Sequence, residues 1–205
     1  MTGPHRALVP RALYVLSLFT TALVFGLTLC HVLQAPGSRG LEPREWLDVQ
    51  HTFYGGFAIL GGSAEILGLL ASAGLGALLL RRRSRAATPI LFAASCLFGT
   101  LLVYWFGNRP VNGLIAEWTP QTLPADWSTY RDLWENAHAL STVLAGLAFI
   151  AVITAMRPLA LWESAHPPRF DGRGHLPDER HRRTLDGQGT RREGHSPRRD
   201  GQSRV

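Results

Sequence analysis

Lysine is absent from the 205 residues, so all 21 basic side chains are arginine. Cysteine is almost absent as well. Cys30 and Cys96 both lie within apolar runs, which fits small buried residues better than a disulfide, and no Cys/His spacing of the zinc type occurs. No segment repeats at solenoid length. Charge is missing from four long stretches, Ala12–Leu33, Thr52–Leu80, Ala86–Gly107 and Ala137–Met156, where Glu65 is the single ionisable carboxylate. Helices of a soluble bundle keep a polar face, and these runs have none.

Each run reaches the roughly 20 residues needed to cross a ~30 Å hydrocarbon core. The expected fold is therefore all-α, a four-transmembrane-helix bundle forming a membrane domain over residues 12–157. Residues 1–11 precede it, and a short interfacial helix is expected around Leu41–Leu47. Residues 158–205 are rich in Arg, Gly, Pro and Asp and have little to bury, so a disordered tail is expected there. The net charge of +6 belongs largely to that tail. Its arginines alternate with Asp171, Asp178, Glu179, Asp186, Glu193 and Asp200, a pattern that argues against a nucleic-acid partner.

Arginine also sets the expected orientation. Arg81, Arg82, Arg83 and Arg85 separate the second and third runs, Arg6 and Arg11 precede the first, and Arg157 follows the fourth. The positive-inside rule makes these segments and both termini cytoplasmic in a multi-pass cell-membrane protein. A cleaved signal peptide is disfavoured, because Leu29 rather than a small residue precedes Cys30. Trp105, Trp118, Trp127 and Trp134 then fall near the outer headgroup level, where indoles anchor.

Polar groups inside the runs are the candidates for function. Glu65 lies midway along the second run, on a stripe with Tyr54, Ala58, Gly61, Gly68 and Ser72 that lets another helix approach. Interhelical glue and proton transfer are both consistent with such a carboxyl. His31, His51 and His138 sit towards the outer ends of three runs, and His51 shares a helix face with Glu65. His31 with His138 is a candidate haem pair, against the plainer reading of headgroup-level hydrogen bonding. Arg131, Trp134, Glu135, His138 and Thr142 follow helical spacing and form a polar seam descending into the fourth run. Asn108 and Asn112 stand one turn apart after Phe106, where Arg109-Pro110 is expected to restart a helix. Glu135, His138 and Tyr54 are the expected partners of those amides, with helix capping as the alternative for Asn108.

The stretches NRPVNGLIAEW, LPADW and RDLWENAH, with CHVLQAPG upstream, resemble the anthrone oxygenase-like membrane domain family. The likeness covers roughly residues 10–157. Its most specific part is Val-Asn-x-x-Ile at 111–115 followed by Arg-x-x-Trp-x-x-x-His at 131–138. The resemblance implies a four-helix integral membrane protein. It implies, for some members, oxidation of anthrones to anthraquinones by dioxygen without a metal or organic cofactor. The positions it carries over are Asn112, Trp118, Arg131, Trp134 and His138. One departure stands out: many relatives have Arg where this chain has Ser141.

The expected function is an outward-facing polar and aromatic pocket for a lipophilic small molecule in the bilayer. His138, Arg131 and Glu65 are the candidate catalytic groups, and Asn112, Trp118, Trp134, Asn108, Tyr54 and His31 the candidate binding groups. A cofactor-independent oxygenase of anthrone-type polyketides is one alternative. A haem- or quinone-binding bundle is the other. No metal is expected.

Overall fold

A computed structural model describes residues 5–156, so the expected tail over 158–205 lies outside the described residues. Those described are helical, with no strand: α1 His5–Ser38, α2 Pro43–Arg81, α3 Ala87–Val103, a π-helical turn Tyr104–Asn108, α4 Arg109–Glu117 and α5 Trp127–Thr154. Four continuous helical stretches are long and apolar enough to cross a membrane: Leu8–Ser38, Pro43–Arg81, Ala87–Glu117 and Trp127–Thr154. Short connections make sequential helices antiparallel, and contacts run α1–α2, α2–α3, α3–α5 and α5–α1, closing a four-helix ring.

The helices overrun the expected bounds in two places. The interfacial segment near Leu41–Leu47 is the first part of α2, not a separate element. Pro43 needs no helical donor in the first turn, and the Glu45 carboxylate accepts the Glu42 backbone N–H at 3.1 Å. Nothing between Leu47 and Tyr54 breaks the helix. The third span likewise does not stop at Asn108. Arg109 N–H reaches back five residues to the Tyr104 carbonyl, which widens one turn where Pro110 enters without a donor. Helix therefore continues to Glu117, carrying Asn108 and Asn112 on its inner side.

Two apolar clusters hold the ring. Leu75, Leu79, Ile90, Leu97 and Val152 interlock with Ala145 and Ala148 in the half that carries the Arg81–Arg85 loop. Trp46, Leu47, Val111, Ile115 and Trp134, backed by Trp118, Trp127 and Tyr130, form a roof at the other end. The outer surface is apolar: Phe19, Ile59, Leu70, Val143 and Phe106 are more than half exposed, with Phe106 at 80%. A soluble protein does not expose such a belt, whereas hydrocarbon accommodates it. Cys96 is buried as expected, but Cys30 is exposed on α1, and neither is bonded.

Close approach depends on a few glycines. A Cβ at Gly107 would sit 2.9 Å from the Ala137 Cβ, backbone-fixed on α5. Gly107→Leu is expected to force α3 off α5 and to lower the unfolding midpoint in detergent by the equivalent of about 1–3 kcal/mol. Gly113→Ala, whose Cβ would meet nothing within 4 Å, is expected to leave the midpoint unchanged or slightly raised. Equal midpoints for Gly107→Leu and the parent would contradict this packing.

Candidate functional site

Between the roof and the inner core lies a cavity of about 640 Å³. Its walls come from α1 (Leu27, Thr28, His31), α2 from Gln50 to Ile66, the π turn and α4, and α5 (Trp134, His138, Ser141). Ile66 and Trp105 line it while each is 52% exposed, so its mouth opens on the flank between α2 and the α3–α4 helix. Gly55 and Gly62 line the same stretch of α2 with no neighbour within 4 Å of a would-be Cβ. At Gly55 and Gly62, inward of the His51–Ile115 contact, α2 therefore has open space beside it, and that space belongs to the cavity.

An aromatic and imidazole cluster forms its outer part. The His31 and His138 rings lie 4.1 Å apart, and Trp134 meets His138 edge-on at 4.3 Å. Tyr54 and Phe57 close on His31 at 5.0 and 5.2 Å. His31 and His138 each bury an unpartnered Nδ1, and both residues line the cavity. The Tyr54 hydroxyl donates to Gln34 Oε1 at 2.9 Å.

The two amides of α4 are oriented by Trp134. Asn108 Nδ2 donates to the Trp134 carbonyl at 3.1 Å, and the Trp134 indole N–H donates to Asn112 Oδ1 at 2.8 Å. The bond from Trp134 fixes the Asn112 amide, which lines the cavity and carries two N–H donors. His51 Nε2 lies 2.8 Å from the Ile115 carbonyl. A carbonyl only accepts, so Nε2 carries the hydrogen and Nδ1 of a neutral ring keeps its lone pair.

Of the residues expected at a site, His31, Tyr54, Glu65, Asn108, Asn112, Trp134 and His138 all line this one cavity. Arg131 and Trp118 do not. The Arg131 guanidinium bonds Asp132 at 3.0 and 3.1 Å and lies over the Trp127 ring, while Trp118 meets Tyr130 edge-on, so both brace the roof. The seam breaks at Arg131, whose side chain is 12% exposed and whose guanidinium takes the neighbouring acid and the Trp127 ring instead of the cavity. Glu135 accordingly pairs not with Arg131 but with Arg39, whose Nε donates to Oε2 at 2.8 Å. The amides found Trp134 as partner rather than Glu135, His138 or Tyr54.

Gln50, Phe57 and Tyr104 also line the cavity and carried no sequence signal beyond helical spacing from Tyr54 and Asn108, and Trp105, expected as a headgroup anchor, lines it too. Ser141 also lines the cavity.

A porphyrin does not fit between His31 and His138, since rings 4.1 Å apart leave no room for a macrocycle plane between them. Among the described residues, no group of three or more His, Cys, Asp or Glu is placed to hold a metal ion.

The fold and cavity define a polytopic α-helical membrane protein with imidazoles and amides gathered in one half of its bundle. The family model described as anthrone oxygenase matches residues 50–151, from the end of the roof segment of α2 through most of α5. The chain belongs to the anthrone oxygenase-like family. The matched region excludes α1, which nevertheless supplies His31 to the cavity. No curated protein and no solved structure matches the chain.

Proposed function

We propose that the chain is a membrane oxygenase that takes a flat lipophilic anthrone or related phenol from the bilayer and oxidises its methylene carbon to a ketone. The observation that carries this reading is the set of cavity-facing imidazoles and amide donors in a chain of this family. His138 Nε2 removes a proton from the ring CH₂ group, and the resulting anion is delocalised onto the ring carbonyl oxygen. Asn112, whose amide is held by the Trp134 indole and carries N–H donors, stabilises that oxyanion. Trp134, Tyr54 and Phe57 flank the rings. The carbanion adds dioxygen, the peroxide regains the proton from His138, and loss of water leaves the ketone. One dioxygen is consumed and one water released per quinone formed.

Arg131 and Trp118 contribute by holding the roof over the cavity, not by touching substrate. The flank opening admits substrate from the apolar phase directly, and the arginine-rich end faces the cytoplasm.

The test is turnover by the purified full chain in detergent, with 1,8-dihydroxyanthrone as substrate. Quinone absorbance and dioxygen uptake are expected to rise together, one to one, well above the uncatalysed rate. Binding with no acceleration would reduce the chain to a carrier of such molecules and overturn the catalytic reading.

A further inference from the structure

Glycine is placed along α2 in two different ways. At Gly68 and Gly76 a Cβ would stand 2.8 Å from the Thr20 hydroxyl and 2.5 Å from the Leu91 side chain, so these positions let α1 and α3 close on α2. At Gly55 and Gly62 a Cβ would meet nothing within 4 Å, and both positions line the cavity. Ala58 lines it between them. The spacing of 55, 58 and 62 puts the three on one helix face. At about 1.5 Å per residue the strip they form is about 10 Å long.

The strip is bounded at both ends. Towards the roof, His51 Nε2 meets the Ile115 carbonyl at 2.8 Å and joins α2 to α4. Deeper in, a Cβ at Gly68 would come within 3.2 Å of Leu97 on α3. Along the strip itself α2 presents nothing larger than a methyl group, while the α3–α4 helix supplies Leu101, Trp105, Asn108 and Asn112 to the same cavity. A volume of about 640 Å³ is of the size that takes small molecules. His31 also lines it, 7% exposed and with Nδ1 unpartnered, which sets the space apart from a mere gap in apolar packing. A wall of nearly bare backbone suits a flat aromatic face. Coplanar rings touch the whole strip at once, whereas rings twisted out of one plane touch it with one ring and lose the contacts of the other.

We propose that Gly55, Ala58 and Gly62 are specificity-determining residues, a nearly side-chain-free wall against which a planar polycyclic ligand lies face-on. The inference rests on the cavity being the ligand site of the proposed function. It deepens that function by assigning the selection of planar ligands to three positions that carry no reactive group.

The experiment uses the purified full chain in detergent and two probes, fluorenone and benzophenone, titrated calorimetrically. Both are diaryl ketones with the same carbon and oxygen atoms, and one extra bond holds the fluorenone rings coplanar. The wild type is expected to bind fluorenone about tenfold more tightly, the scale of one aromatic face contact. Gly62→Val and Gly55→Val each place a branched side chain in open space, so their unfolding midpoints are expected at or above the wild-type value. Their fluorenone affinity is expected to fall to the benzophenone level, because the new side chain takes the room of the ligand. Gly74→Val is the control: its Cβ also meets nothing within 4 Å, the position does not line the cavity, and the wild-type preference is expected to persist. Equal affinities in the wild type overturn the wall without recourse to any variant. A preference that survives both folded cavity variants, or that is lost in Gly74→Val, overturns it as well. Failure of the wild type to bind either probe overturns the ligand-site reading itself.

Discussion

His138→Phe is expected to reduce anthrone turnover by roughly 10²–10⁴-fold, the usual contribution of a general base. Quinone formation from 1,8-dihydroxyanthrone measures it, with the uncatalysed rate subtracted. Phenylalanine keeps a flat ring against His31 and Trp134, now 4.1 and 4.3 Å from the imidazole, so cavity shape and ligand affinity are expected to persist. What disappears is the lone pair. Two other imidazoles line the cavity and provide the controls. His51 has a fixed tautomer through Ile115 and a free Nδ1, which makes it the rival base. Should His51→Gln lose turnover while folded His138→Phe keeps it, the base is His51 and the assignment to His138 fails. His31 is in ring contact with His138 and faces the same space, so His31→Phe is expected to weaken turnover through the position of its neighbour.

Much of this architecture was legible in the residues because the physics behind it is one-dimensional. Four apolar runs fix four spans, since a hydrocarbon core demands length and excludes charge. Glu65 is conspicuous for the same reason, as one carboxylate in otherwise uncharged runs must find company inside the bundle. Periodicity then ties Tyr54, Ala58, Gly61 and Glu65 to one face, and that face does line the cavity. His31, Asn108, Asn112, Trp134 and His138 meet there from three different spans.

The features that escaped are those that depend on competition between partners. Spacing puts Arg131 in register with His138, but its guanidinium has Asp132 and the Trp127 ring at hand and settles on them in place of the cavity. Spacing makes Arg131–Glu135 a natural pair, yet Glu135 faces α1 and takes Arg39, 96 residues away in the chain. The widened turn at Tyr104–Asn108 is a cooperative adjustment around Pro110, and a composition-based boundary reads that proline as a restart. None of these choices is written in a local pattern. The haem pairing of His31 and His138 failed on distance alone: both rings were located correctly and packed too near to each other.

Arg39→Ala is expected to destabilise the bundle by about 1–3 kcal/mol, read as a lowered unfolding midpoint in detergent. The Glu135 side chain is 4% exposed and its Oε1 is already buried without a partner, so the 2.8 Å bond from Arg39 to Oε2 is what offsets the burial of the charge. Arg39 itself is 53% exposed, which places the value below that of a fully buried pair. The cost arises on the acid: without Arg39, a carboxylate next to the aromatic cluster has neither water nor a donor. Removing the acid as well is therefore expected to help. Arg39→Ala combined with Glu135→Leu is expected to recover most of the midpoint, because no orphan charge remains. Glu135 sits one turn before His138 on α5, so the single variant is also expected to lower anthrone turnover more than the double variant does. A double variant no more stable than Arg39→Ala would show that the contact acts through the arginine's packing, and the electrostatic account of this clamp between α1 and α5 would be wrong.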